Sequence, residues 1–120
     1  MMLPACTSGY NTWPRAKHFI LKMAAAIKFG TSGWRAIIAD DFTFANVRLA
    51  TAAIAEHVKS RNPKPTVIVG HDTRFFAEEF TRTAAEILRE YGIHVLLCDG
   101  PTPTPVIAHE IRRRKVDGAI

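Results

Sequence analysis

Thr66-Val67-Ile68-Val69-Gly70 is an unbroken apolar run, followed at once by His71-Asp72-Thr73-Arg74. A short run of β-branched residues with no polar alternation suits a strand buried on both faces, and such strands belong to parallel sheets. Upstream of it, Phe44, Val47, Ala50, Ile54 and Val58 recur at steps of three and four, the period of an amphipathic helix of about 16 residues. Thr43 is placed to cap that helix, and Asn62-Pro63-Lys64-Pro65 ends it. Downstream, Phe80, Ala84, Ile87, Leu88 and Tyr91 share a second helical face, with Gly92 as its stop. Glu78 and Glu79 in the first turn and Arg89 in the last complement that helix's dipole.

The alternation continues in both directions. Ile93-His94-Val95-Leu96-Leu97-Cys98 reads as the next strand, and Cys98 within it as a small buried thiol. Pro105 suits the first turn of a third helix, capped by Thr104 and running to about Arg114, with another strand from Val116. The Pro-Thr-Pro-Thr-Pro run before it is a rigid connector. Towards the amino terminus, Ile27–Phe29 forms a first strand and Ile37-Ile38-Ala39 a second, before an Asp40-Asp41 turn. Strands alternating with helices imply right-handed crossovers, hence a three-layer α/β/α domain on a mainly parallel sheet.

In such sheets ligands bind beyond the carboxyl ends of the strands. His71-Asp72-Thr73-Arg74 and Asp99-Gly100-Pro101-Thr102-Pro103 both fall there. A third stretch, Ile27-Lys28-Phe29-Gly30-Thr31-Ser32-Gly33-Trp34-Arg35-Ala36, carries anion chemistry. Its two glycines allow a tight turn whose N–H groups approach a ligand closely. Thr31 and Ser32 add hydroxyls, and Arg35 adds a planar positive fork suited to phosphate. Composition alone leaves an ordinary glycine turn equally open.

The segment resembles the amino-terminal signature of the α-D-phosphohexomutases, the phosphoglucomutase/phosphomannomutase superfamily. Phe29-Gly30-Thr31-Ser32-Gly33-Trp34-Arg35 matches seven of its eight positions; Ala36 stands where glycine is usual. Val69–Arg74 and Gly100–Pro105 match two further motifs in the same order, so the resemblance covers about residues 26–120. It implies the family's domain I, incomplete at its carboxyl end. The family's Thr-Ala-Ser-His-Asn-Pro loop, whose serine carries the transferred phosphate, matches nothing before Ile120. No catalytic residue is then expected in this chain, and the chain alone is expected to be inactive.

By the same resemblance, Thr31, Ser32, Gly33 and Arg35 line the phosphate pocket, with Arg35 contacting the serine-borne phosphate. Ser32 has no histidine at a recognisable spacing to activate it, so it orients rather than attacks. Asp72 and Arg74 either form an ion pair that shapes the cleft, or Asp72 caps the following helix. The implied reaction moves a phosphoryl group between the 1- and 6-positions of a hexose phosphate. Mg²⁺ is implied for the full-length enzyme, on a domain II loop; neither metal nor cofactor is expected in this fragment. The remaining domains II–IV are expected partners in cis, and a hexose phosphate the substrate.

Two other classes compete. One is a stand-alone module that binds phosphate or sugar phosphate without chemistry. The other is a nucleic-acid-binding α/β domain using Arg112-Arg113-Arg114-Lys115. The charge of +5 invites the latter, but Arg15, Lys17 and Lys22 supply three of the 16 basic residues without an acid beside them; the other 13 face 11 acidic ones. At a helix carboxyl end the basic run satisfies the dipole, which favours a solvated end and no nucleic-acid partner.

Residues 1–22 share no period with the rest and contain Pro4 and Pro14. They read as an extension foreign to the family and disordered, consistent with a mis-assigned start ahead of Met23, which leaves 23–120 as the partial domain. Lys22 cuts the apolar run Phe19-Ile20-Leu21 too short for a secretory signal; an organelle transit peptide is a rival, since the segment lacks acids. No run approaches the length of a membrane span, so no membrane partner is expected. Cys6 and Cys98 make no disulfide framework, which fits a reducing cytoplasm. His94 and Cys98 lack a third ligand, so no metal site is expected.

Overall fold

The computed structural model describes residues 27–120 apart from Ser32. The reading of residues 1–22 lies outside that range. Chain order is β1 (Phe29–Gly30), β2 (Gly33–Trp34), α1 (Phe44–Arg61), β3 (Thr66–Val69), α2 (Ala77–Glu90), β4 (His94–Leu97), α3 (Thr104–Arg114) and β5 (Gly118–Ala119).

β3, β4 and β5 form a parallel sheet in the order β4-β3-β5. Val67 pairs with Val95 on one side and with Gly118 on the other. The path from β3 through α2 moves to one edge, and the path from β4 through α3 returns across β3 to the other. Right-handed crossovers in opposite directions put their helices on opposite faces. Side chains agree. Val67 and Val69 join Ala55 of α1, Ala84 and Leu88 of α2, and Ile93 in one buried cluster. Gly70 has the strand parity of Ile68, and the Cβ position it leaves empty lies 2.8 Å from Ile107 Cδ1 of α3 and 3.1 Å from Cys98 Sγ. The expected three layers are therefore present, with the main core between the sheet and the α1–α2 pair.

Local chemistry sets the helix ends. The Thr43 hydroxyl accepts from the Asn46 N–H at 3.2 Å, satisfying one orphan donor of α1. At the end of α2, Gly92 takes φ +72. Its N–H donates to Arg89 O at 2.8 Å, and Ile93 N–H donates to Leu88 O at 3.0 Å. These two bonds make a Schellman motif, and the accompanying apolar contact joins Ile93 and Leu88 in the core. At the amino ends of β3 and β5, Asp117 accepts from Asn62 Nδ2 at 2.9 Å and from Thr66 N–H at 2.7 Å. Those hydrogen bonds, Asn62's first, hold the Asp117 carboxyl below its ordinary range.

Several expectations need correcting. Ile37–Ala39 is not a strand: Ile38 makes a single bridge to Phe42, and residues 39–41 turn. The second strand is Gly33–Trp34, and it pairs antiparallel with β1 in a hairpin separate from the parallel sheet. Thr104 is the first residue of α3 rather than its cap; Pro103 stands at the cap position and has no hydroxyl to offer. On α1 the buried positions are Val47, Ala50, Thr51 and Ala55, while Ile54 is only half-buried. Cys98 is also half-buried, since β4 is an edge strand.

Candidate functional site

The Phe29–Trp34 segment is a hairpin with Phe29 opposite Trp34 and Gly30 opposite Gly33. Gly33 has φ +96, a left-handed conformation that side chains resist, so the turn needs glycine there. The glycine-turn and anion-site readings are thus compatible. Thr31 and Gly33 are exposed at the hairpin tip, and Ser32, also assigned to the pocket, lies outside the described residues.

Past the hairpin the chain passes Arg35 and enters a tight turn. Ile37 O accepts from the N–H groups of Asp40 and Asp41, both at 3.2 Å, and of Phe42 at 3.0 Å. This turn folds the segment against the start of α1, where Asn46 Nδ2 donates to Asp41 O at 2.7 Å. An open cleft of about 260 Å³ results, lined by Lys28, Trp34, Arg35, Ala36, Asp41 and Asn46 among others. Of the residues assigned to the phosphate pocket, Arg35 lines this cleft and Thr31 and Gly33 do not; the separate pair Asp72 and Arg74 does not line it either. Among the described residues neither Lys28 nor Arg35 forms an ion pair, and Asp41 lines the same cleft.

The second group lies beyond the carboxyl ends of β3 and β4. Arg74 Nε lies 3.0 Å from Asp72 Oδ2, and Arg74 N–H donates to Asp72 Oδ1 at 3.0 Å. The ion pair itself is therefore present. Asp72 is not the helix cap: Phe76 occupies the cap position of α2 at φ +58, with no side-chain cap bond. Both partners are exposed, so the pair shapes the loop without adding much stability. His71 Nδ1–H donates to Asp72 O at 2.8 Å, the carbonyl being able only to accept. Thr102 N–H donates to His71 O at 2.8 Å and joins this loop to the one after β4.

The basic run is partly neutralised from within α3. Glu110 accepts from Arg113 Nε at 2.6 Å and Nη2 at 2.7 Å, and from Arg114 Nε at 2.6 Å. These bonds, Arg113's first, hold the Glu110 carboxyl down to about 2. No three His, Cys, Asp or Glu side chains group to hold a metal among the described residues. No helix among them is long and apolar enough to cross a membrane.

Sequence reading missed Lys28, Asp41 and Asn46 as cleft residues, and it missed an aromatic chain beneath the cleft. Trp34 stacks on Phe42 at 4.5 Å, and Phe42 and Phe80 lie edge-to-face at 4.8 Å. The only local hint is the spacing Phe42-Thr43-Phe44 around a helix cap, which says nothing about a partner on another helix.

Residues 26–120 match the family described as phosphoglucomutase/phosphomannomutase, alpha/beta/alpha domain I. Among curated proteins, a phosphoglucosamine mutase of Cupriavidus taiwanensis is 32% identical over 97 residues, covering 77% of this chain and 22% of the relative. A probable phosphomannomutase of Haemophilus influenzae is 33% identical over 66 residues, covering 55% and 14%. A solved structure of a putative phosphomannomutase from Thermus thermophilus superposes with a TM-score of 0.76 at 41% identity, over 81% of this chain and 22% of that one. The chain thus spans about a fifth or less of the length of these relatives. With the family model matched over residues 26–120 and the three-layer α/β/α fold shared with a solved relative, the chain belongs to the phosphoglucomutase/phosphomannomutase family and carries its α/β/α domain I.

Proposed function

We propose that this chain supplies the phosphate-contacting part of a cytoplasmic phosphohexomutase, one that moves a phosphoryl group between the 1- and 6-positions of a hexose phosphate. The observation that carries the reading is Arg35: a guanidinium with no ion-pair partner among the described residues, lining an open cleft beside Lys28 and next to a Gly-Thr-Ser-Gly turn. Arg35 binds the transferring phosphate through charge-assisted hydrogen bonds and stabilises the charge that moves with it. Thr31, Ser32 and Gly33 orient the same phosphate through hydroxyl and backbone donors. Asp72 and Arg74 fix the neighbouring loop.

The Mg²⁺ implied by the family does not fit the described residues, which bring no set of three acidic, histidine or cysteine ligands together. The serine that carries phosphate, the remaining domains and the choice among sugars likewise belong to residues beyond this set. In this reading the 120 residues act with further mutase domains in cis and do not turn over a hexose phosphate by themselves, a reading supported by relatives of which they cover 22%.

Two measurements test the reading. Inorganic phosphate titrated into the ¹⁵N-labelled chain should shift the amides of residues 30–35, and Arg35→Ala should abolish the shifts. Titration shifts confined to α3 would refute the assignment of the hairpin. Glucose 1-phosphate incubated with the chain should remain unconverted; turnover would refute the need for further residues.

A further inference from the structure

Arg35 sits on a segment that cannot hold its own shape. β1 and β2 contribute two residues each, and Phe29 is 57% exposed. A two-stranded hairpin of this size is at best marginally stable in water. Neither strand packs extensively against another named element. A guanidinium carried on such a segment loses orientational entropy on binding, which weakens an anion site unless something fixes it beforehand.

The rings supply that fixing. Trp34 and Phe42 bracket the segment that contains Arg35, and their rings stack at 4.5 Å with 25° between planes, closing the segment into a loop. The bond from Phe42 N–H to Ile37 O closes it a second time within the turn. Phe42 is in turn held by Phe80 at 4.8 Å and 88°, and Phe80 lies against Phe44 at 4.5 Å. Phe80 belongs to α2 and Phe44 to α1, the two helices that pack on the buried face of the sheet. From Trp34 to the helices the links are a stacked pair (Trp34–Phe42), an edge-to-face pair (Phe42–Phe80) and a tilted pair (Phe80–Phe44), each a close ring contact of the kind that adds to area burial.

From this we infer that the Trp34–Phe42–Phe80 chain positions Arg35, with Phe42 as the residue that transmits the rigidity of α1 and α2 to the hairpin. Phe42 touches no substrate in this scheme; it acts through the segment it closes. The inference rests on the phosphate reading of Arg35, but the ordering of the segment can be measured without any ligand.

The experiment compares the 120-residue chain with its Phe42→Leu, Phe42→Tyr and Trp34→Leu variants. Leucine keeps apolar bulk and removes the stack; tyrosine keeps the ring. Without ligand, the ¹H–¹⁵N heteronuclear NOE of Arg35 should fall in Phe42→Leu and Trp34→Leu, and hold in Phe42→Tyr. NOEs in α2 and β3 should be unchanged in all three, which separates positioning from general loss of fold. With inorganic phosphate, Phe42→Leu should bind about fivefold more weakly and Phe42→Tyr like the parent. Trp34→Leu cuts the same contact from the hairpin side, so it decides the matter if Phe42→Leu fails to fold. An unchanged Arg35 NOE in the leucine variants would overturn the inference even if Arg35 proves to bind phosphate. If the parent chain gave no phosphate shifts, the phosphate reading would fall, while loss of the Arg35 NOE would still establish the ordering role.

Discussion

Leu88 is the side chain on which the packing of α2 against the sheet depends most. It is 0% exposed and lies in one cluster with Val67 and Val69 of β3, Ala55 of α1, Ala84 one turn earlier, and Ile93. Leu88→Ala removes three carbons, a transfer loss of about 2.4 kcal/mol at about 0.8 kcal/mol each. A cavity term adds to this wherever neighbours cannot move in. Here two neighbours are alanines with no reach, and two are valines fixed in the central strand, so collapse is poor. The total should be about 4 kcal/mol, a large share of the roughly 5–15 kcal/mol that holds a domain folded. In urea, with a slope of about 1.5 kcal/mol per molar, the midpoint should fall by about 2.5 M, or the variant should already be unfolded. Leu49→Ala is the matched control: the same change on α1, at a position 63% exposed, should stay within about 0.5 kcal/mol. Circular dichroism through urea titrations of the three proteins reads both. A Leu88→Ala cost below about 1.5 kcal/mol, or one equal to that of Leu49→Ala, would refute this account of the core.

Three other changes follow from local geometry. Thr43→Ala removes the acceptor for Asn46 N–H and should cost about 1 kcal/mol, read as a drop in unfolding temperature, whereas Thr43→Ser should recover most of it. Gly92→Ala forces a side chain to φ +72 and should cost about 1 kcal/mol, with the amide protection of Ile93 reduced as the Schellman bonds loosen. Glu110 has its folded-state value depressed to about 2 from 4.5, so its pairing stabilises the fold above about pH 4.5 and is lost as pH falls towards 2. Its carboxyl ¹³C titration should show a midpoint near 2 in the parent and move towards 4.5 when Arg113 and Arg114 are both changed to glutamine; a midpoint near 4.5 in the parent would mean the pairs do not form in solution.

Much of this protein was determined by residues acting on their near neighbours. Thr43 and Gly92 fix helix ends through bonds that span three to five residues, so their meaning is visible without a fold. The run Thr66–Val69 has only one comfortable environment, the middle of a parallel sheet, and it occupies that place. The Phe29–Arg35 signature, followed in order by Val69–Arg74 and Gly100–Pro105, carried the family resemblance because three ordered matches are far more specific than one. Tertiary structure decided what depends on distant partners. Which side of α1 faces inward is set by α2 and the sheet; an alanine-rich helix offers too little contrast to choose between Ile54 and Ala55 on its own. Ile37–Ala39 has the composition of a strand, but the turn bonds to Ile37 O use its pairing capacity within the segment. The hairpin alone says that an anion could bind; the ring contacts from Trp34 through Phe42 to Phe80 decide where its arginine is held, because such contacts join residues that only folding brings together.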